Sequence, residues 1–315
     1  MSEPPVLFRR GRPLRIGAAV VVLLAVATYV AVQYATGGRS TPRCVVVSAN
    51  SAKGAGARYE FTAEQAVNAA SISAVGTSRG MPERAVTIAL ATALQESGLR
   101  NIGHGDRDSL GLFQQRPSSG WGTEQQIMDP VYAAGRFYEY LDKIPGYSRL
   151  PLTVAAQRVQ RSGYPQAYAK HEPDATLLAA ALTGRAAASL TCEGRPSGAD
   201  SARPGDPARV KAALVRDFGK DVAPAAGGDK RSVQVPVPAT VDSAEGGERQ
   251  RGWELAQWAV ANSSALRIER VSYAGREWVA GDSGNEWHKA SATRDAKAAS
   301  GASSSVGEVR IVTGQ

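Results

Sequence analysis

Apolar residues fall in three different rhythms along this chain. Residues 16–35 form one long, predominantly apolar run with no charged position. At roughly 20 residues, it has the length of a helix that crosses a bilayer. Between residues 62 and 182 the apolar positions recur at helical spacing, interrupted by glycine and proline. Beyond residue 206, helical and alternating stretches are mixed.

The helical rhythm predicts particular elements. Thr62 followed by Gln65 has the spacing of a capping box and predicts a helix to about Ser78. Gly80-Met81-Pro82 breaks the chain, and Pro82 suits a first helical turn. Val86, Leu90, Ala93 and Leu94 then share one helical face, and Gly98 is the expected stop. Further helices are predicted over 130–143, 152–160 and 174–182. Residues 36–58, rich in Gly, Ser, Ala and Arg, read as a spacer. Residues 193–206 carry Gly, Pro, Ser and Asp with little apolar content and read as a linker.

The last third predicts a small α+β module over 207–315. Helices are expected at 208–218 and 253–261, and a hairpin at 268–273 and 277–279 around Ala274-Gly275. A last strand is expected at 309–312. Val233, Val235 and Val237 alternate as a strand would, but Pro236 and Pro238 demote it to a sheet edge. Residues 290–305, rich in Ala, Ser and Gly, read as a loop. Trp253 and Trp258 fall on a predicted helix and Trp278 and Trp287 near predicted strands, so they read as core, with a carbohydrate platform as the alternative.

Charge and cysteines set the compartment. The 315 residues have room for one or two domains, and the formal net charge is +8. Arg9, Arg10, Arg12 and Arg15 precede the apolar run, which places residues 1–15 in the cytoplasm and the bulk of the chain outside it. A cleaved signal peptide is the alternative, but the run is long for one and no small-x-small site follows it. The expected location is therefore the cell membrane, single-pass, with a lipid bilayer as one partner. Cys44 and Cys192 are the two cysteines of the chain. Outside the cytoplasm they can pair, closing a long loop worth ~4 kcal/mol in the chain-entropy account; two unpaired thiols are the alternative. Basic charge there suits anionic wall polymers or lipid headgroups, or is a solvated surface. Nucleic acid is a poor partner for an exported chain with no basic-aromatic stripe.

The chemistry concentrates in residues 90–138. The helix ending at Gly98 carries a single acid, Glu96, in its last turn. Cleaving a glycosidic bond requires an acid that holds its proton near neutral pH. A helix C-terminus disfavours a carboxylate, and Leu94, Leu99 and Phe113 could supply an apolar wall. From position alone, an exposed glutamate at a helix end is the competing reading.

Gln95-Glu96-Ser97 followed by Gly111-Leu112-Phe113-Gln114 resembles the paired motifs of the soluble lytic transglycosylase and goose-type lysozyme superfamily. Its members carry Glu-Ser and then Gly-Leu-Met-Gln. Asp129-Pro130, Ala134-Gly135 and Tyr138 resemble the family's next helix. The resemblance covers roughly residues 59–192 and is nearest to lysozyme-like domains of actinobacterial cell-envelope proteins. It implies a mainly α lysozyme-like domain that follows the transmembrane helix and precedes the smaller α+β module. It also implies cleavage of peptidoglycan glycan strands, with Glu96 as general acid and then general base. The substrate's own N-acetyl group or 6-hydroxyl would take the nucleophile's part, so no second carboxylate, metal or cofactor is required.

Further residues are candidates, Gln114 and Tyr138 from the resemblance and the others from residue type and position. Gln114 matches the family's glutamine and would bind sugar amide or hydroxyl groups, with Gln115 beside it. Asp106 and Asp108 are candidates for a second carboxylate, or ordinary turn residues. Tyr138 either packs beside the glutamate or sits in the core with its hydroxyl satisfied locally. Trp121 either stacks on a sugar or anchors its loop. Two positions depart from the pattern: Val159-Gln160 stands where the family has Tyr-Asn, and the Asn expected after Asp-Pro is missing. A glycan-binding scaffold that does not cut is the alternative function. His104, His171 and His288 lack zinc-site spacing, and no GxSxG or Walker loop occurs.

Overall fold

The computed structural model describes residues 28, 43–48, 56–162, 164, 166–194, 204–238, 247–282, 284–290 and 307–314. It is a mixed helix and sheet protein in which residues 42–315 form one compact unit. No helix among the described residues is long and apolar enough to cross a membrane. The span expected at 16–35 lies outside the described residues, apart from Thr28.

Two helices form the centre. α1, Ala63–Ser78, starts at the capping box: Gln65 N–H bonds Thr62 Oγ1, and Gln65 Oε1 accepts from Thr62 N–H. Its run of Ala, Ser and Gly is buried almost all round, as in a core helix rather than a surface one. Small side chains let neighbours approach. A Cβ on Gly76 would stand 2.6 Å from the Tyr138 hydroxyl. α2, Glu83–Ser97, has Pro82 as its N-cap, one position earlier than expected, and Gly98 as a left-handed C-cap. α3 (Glu124–Ile127), α4 (Pro130–Asp142), α5 (Leu152–Gln160) and α6 (Glu172–Leu182) follow. α4, α5 and α6 pack on α2, and α4 and α6 also pack on α1.

Part of the stretch read as a spacer is a strand. β1 (Arg43–Val47) lies between β2 (Arg58–Thr62) and β3 (Leu190–Cys192), antiparallel to both. Cys44 sits directly opposite Cys192, and the two form a disulfide across the sheet. The expected pairing is therefore present.

The C-terminal stretch packs onto this helical body. It comprises α7 (Pro207–Phe218), β4 (Ala225–Ala226), β5 (Ser232–Pro236), α8 (Gly247–Ala261), α9 (Ser263–Leu266), β6 (Ile268–Tyr273), β7 (Arg276–Val279), β8 (His288–Lys289) and β9 (Glu308–Thr313). The strands make an antiparallel sheet in the order β4-β5-β9-β6-β7-β8. The hairpin turns at Ala274 and Gly275, both at positive φ, as expected. β5 is not an edge strand. β9 pairs with its whole length, while β4 pairs only with Val233 and Gln234. Pro236 lies beyond the reach of β4, so its missing N–H breaks no ladder there. Most of the loop read at 290–305 lies outside the described residues.

α8 joins the two halves, and Gln257 is its central tie. This side chain is fully buried. Its oxygen accepts from Ser189 N–H, Ser189 Oγ and Leu190 N–H at 2.9–3.0 Å. Its nitrogen donates to Ala181 O at 2.7 Å and Ala186 O at 3.0 Å. Asp217 on α7, also buried, accepts from Ser71 Oγ of α1 and Trp258 Nε1 of α8. Trp287 Nε1 donates to Leu190 O. The four C-terminal tryptophans are all buried, as expected.

Candidate functional site

Glu96 owes its place to the corner that follows it. Gly98 and Leu99 both adopt left-handed conformations, φ 63° and 59°. Their N–H groups close back on Leu94 O and Ala93 O. Two α1 side chains pin the corner from below. Gln65 Nε2 donates to Gly98 O and Asn68 Nδ2 to Leu99 O, each at 2.8 Å. Leu94, Leu99 and Phe113, expected to wall the acid, are buried in the core.

The turn at 110–115 is fastened to that corner. Leu110 and Gln115 exchange backbone hydrogen bonds at 2.9 and 3.0 Å. Gly111 needs to be glycine: φ is 75°, and a Cβ would lie 2.7 Å from Ile127 O. Ser97 Oγ donates to Leu112 O at 2.8 Å, joining the end of the glutamate's helix to the turn. From the other side, Gln160 Nε2 at the end of α5 donates to Phe113 O at 2.7 Å. The Gln95-Glu96-Ser97 and Gly111–Gln114 motifs thus meet in space.

A cleft of about 760 Å³ opens here. Its lining includes Glu96, Gln114, Gln115, Asp106 and Trp121, five of the residues singled out from sequence. Glu96 is half-buried, and Tyr168 Oη donates to its Oε1 at 2.6 Å. Tyr168 is fully buried. Burial, then its bond to Glu96, push the phenol pKa far above its ordinary value, so it remains a donor. Beside it, His171 Nε2 lies 3.2 Å from Gln95 Oε1. Burial, then Lys170, lower the His171 pKa and favour the neutral ring.

The remaining candidates separate by role. Gln114 Nε2 donates to Gly111 O at 3.2 Å. Gln115 is a strut, with Nε2 on Ala133 O of α4 at 3.1 Å. Among the described residues, Gln115 Oε1 and Gln160 Oε1 are buried in the lining without a donor. Trp121 is half-buried and tilted against Tyr140, centroids 4.5 Å apart, giving the cleft an aromatic wall. Asp106 is exposed and ion-paired to Arg116 at 2.7 Å. Asp108 does not line the cleft. It accepts from Ser118 N–H, and the hydrogen bonds from Ser118 hold its pKa low, as in a turn residue. Tyr138 is a core residue whose hydroxyl donates to Ile72 O at 3.0 Å, and it does not reach the lining. Tyr168 and Gln160 were not among the sequence candidates. Gln160 occupies one of the two positions that depart from the family pattern.

Chemically, the cleft offers one carboxyl with a phenol donor behind it, amide groups for polar contacts and an aromatic wall. Among the described residues, no group of three His, Cys, Asp or Glu side chains is assembled to hold a metal ion. Compared with models of known protein families and with curated proteins, the chain matches none.

Proposed function

We propose that this protein is a membrane-anchored enzyme of the lysozyme and soluble lytic transglycosylase type. It would cleave the β-1,4 bond after N-acetylmuramic acid in peptidoglycan, outside the cytoplasm. One observation carries the reading. Of the two acids lining the cleft, Asp106 is exposed and ion-paired with Arg116, whereas Glu96 is half-buried and held by Tyr168 beside the glutamine-bearing turn. A single positioned carboxyl is what a mechanism with one acid/base requires.

In that mechanism, Oε1 of Glu96 takes the hydrogen bond from Tyr168, leaving Oε2 to carry the proton. Oε2 protonates the leaving glycosidic oxygen as the bond to the anomeric carbon breaks. The substrate's N-acetyl oxygen bonds that carbon in its place. The Glu96 carboxylate then takes a proton from the 6-hydroxyl or from water, whose oxygen displaces the acetyl oxygen. The first route gives an anhydro sugar, the second a reducing end. Digestion of purified peptidoglycan by the full chain, with product masses recorded, tests the reading and separates the two routes. If no glycan is cut but glycan is bound, the scaffold function replaces it. Recovery of the chain in the membrane fraction with residues 16–35 intact tests the anchor, and an N-terminus beyond residue 37 would show a cleaved signal.

Tyr168→Phe isolates the role of the phenol. A hydrogen bond to a charged group contributes about 1.5–3 kcal/mol, so cleavage is expected to fall roughly 10–100-fold. Glycan binding should be unchanged, because the ring remains in the core. Unaltered cleavage would reduce Tyr168 to packing.

A further inference from the structure

The cleft holds more positive charge than its acids balance. Arg107, Arg116, Arg158 and Arg161 all line it. Arg116 is paired with Asp106. Among the described residues, Arg107, Arg158 and Arg161 have no carboxylate partner, and all three are exposed. They come from separate segments, the loop before the Gly111 turn and the end of α5, yet they converge on one opening. Like charges gathered without counter-charges are unfavourable for the fold itself. Two of them also occupy costly backbone positions. Arg107 and Arg161 have φ of 57° and 52°, where glycine or asparagine is easier to place. Beside them Tyr164, 79% exposed, offers a bare ring face.

We propose that Arg107, Arg158 and Arg161 form an anion subsite that reads carboxylates carried on the glycan strand. The inference rests on the glycan-cleaving reading and names the feature that selects the substrate. The arginines share their cleft with Glu96 and Gln114, so a strand that reaches the glutamate can bring its own charge to them. An occupant that reaches the glutamate while lying along the arginines is a strand with acidic substituents. Guanidinium groups suit this task because their planar donor fork matches a carboxylate. A neutral glycan of the same length would fill the cleft and leave the arginines unanswered.

Binding to the full chain carrying Glu96→Gln tests this without turnover. Three hexasaccharides serve as probes. One is the neutral N-acetylglucosamine hexamer. The second alternates N-acetylglucosamine with N-acetylmuramic acid without stem peptides, so that the lactyl group of every second ring is a free carboxylate. The third is the same strand with its carboxyls converted to methylamides. At low salt the carboxylated strand should bind about tenfold more tightly than the other two, and the advantage should shrink at about 0.5 M salt. Adding Arg107→Gln, Arg158→Gln and Arg161→Gln should abolish the advantage and leave affinity for the neutral hexamer unchanged. Equal affinity for all three strands overturns the inference, as does an advantage that the triple variant keeps. Equal loss of every strand in a folded triple variant also overturns it, because the arginines would then be shaping the cleft. If the triple variant does not fold, Arg158→Gln alone with the salt series decides, and an undiminished, salt-independent preference sinks the idea. A glycerol phosphate oligomer that binds more tightly than the carboxylated strand would assign the arginines to phosphate and overturn the carboxylate assignment. Equal binding of all strands alongside peptidoglycan cleavage by the unmodified chain removes the subsite but leaves the enzyme. Absence of both binding and cleavage removes the two readings together.

Discussion

Glycan cleavage by the Glu96→Gln variant is expected to fall by roughly 10²–10⁴-fold, the usual contribution of a positioned general acid or base. The amide keeps the shape of the carboxyl and can still accept the Tyr168 hydrogen bond through its oxygen. It cannot deliver a proton to the leaving oxygen or take one afterwards, so both halves of the reaction are lost together. Binding should survive, because Gln114, Trp121 and the arginines of the cleft are untouched. Folding should survive as well, because the corner after α2 is held by Gln65, Asn68 and Ser97 rather than by Glu96. Product yield from purified peptidoglycan, read beside a thermal melt of each protein, checks all three statements. A variant that cuts as fast as the parent would remove Glu96 from the chemistry. One that no longer folds would make it a structural acid.

The second large effect concerns the disulfide. Cys44 and Cys192 are separated by 148 positions, so the bridge closes most of the helical body into one loop. In the chain-entropy account such a loop contributes about 4–5 kcal/mol, by restricting the unfolded chain. Serine at both positions is expected to lower the melting temperature by roughly 10 °C. The bridge lies between β1 and β3, so β1 should be the first element to exchange its amide hydrogens in the variant. A change below about 2 °C would mean that β1 is held by its sheet partners and buried side chains alone.

How much of this was legible beforehand depends on the range of the interactions involved. The capping box at Thr62, the stop at Gly98 and the helix at Leu152–Gln160 are written in neighbouring residues and were readable there. The hairpin at Ala274-Gly275 was readable for the same reason. β1 was not. Its five residues sit in a Gly- and Ser-rich stretch, and one of its partners, β3, lies almost 150 residues away. Pro236 marks only the end of β5 that β4 does not reach, so proline there does not make the whole strand an edge.

The candidate site divides in the same way. Glu96 and Gln114 sit in local motifs, and they come together with Trp121 in the cleft. Tyr168 could not be chosen from its own surroundings, because its partner is 72 positions upstream. Asp108 and Tyr138 resembled site residues by spacing, but their nearest polar groups claim them first. Ser118 N–H takes Asp108, and Ile72 O takes the Tyr138 hydroxyl. The arginines contribute to the net charge, but their convergence depends on a loop meeting the end of α5.

Gln257 has a consequence for the order in which the molecule can be made. A chain is synthesised from its N-terminus, so both central helices and the glutamate exist long before α8 does. Until Gln257 arrives, the amides of Ser189 and Leu190 and the carbonyls of Ala181 and Ala186 lack the partner that the finished protein gives them. The apolar faces of α1 and α6 that α8 covers are bare for the same interval. The nascent helical body is therefore an incomplete object, and its maturation waits on a segment some 160 residues downstream of Glu96. The packing of α1 and α6 is thus completed only when the last third of the chain has followed them.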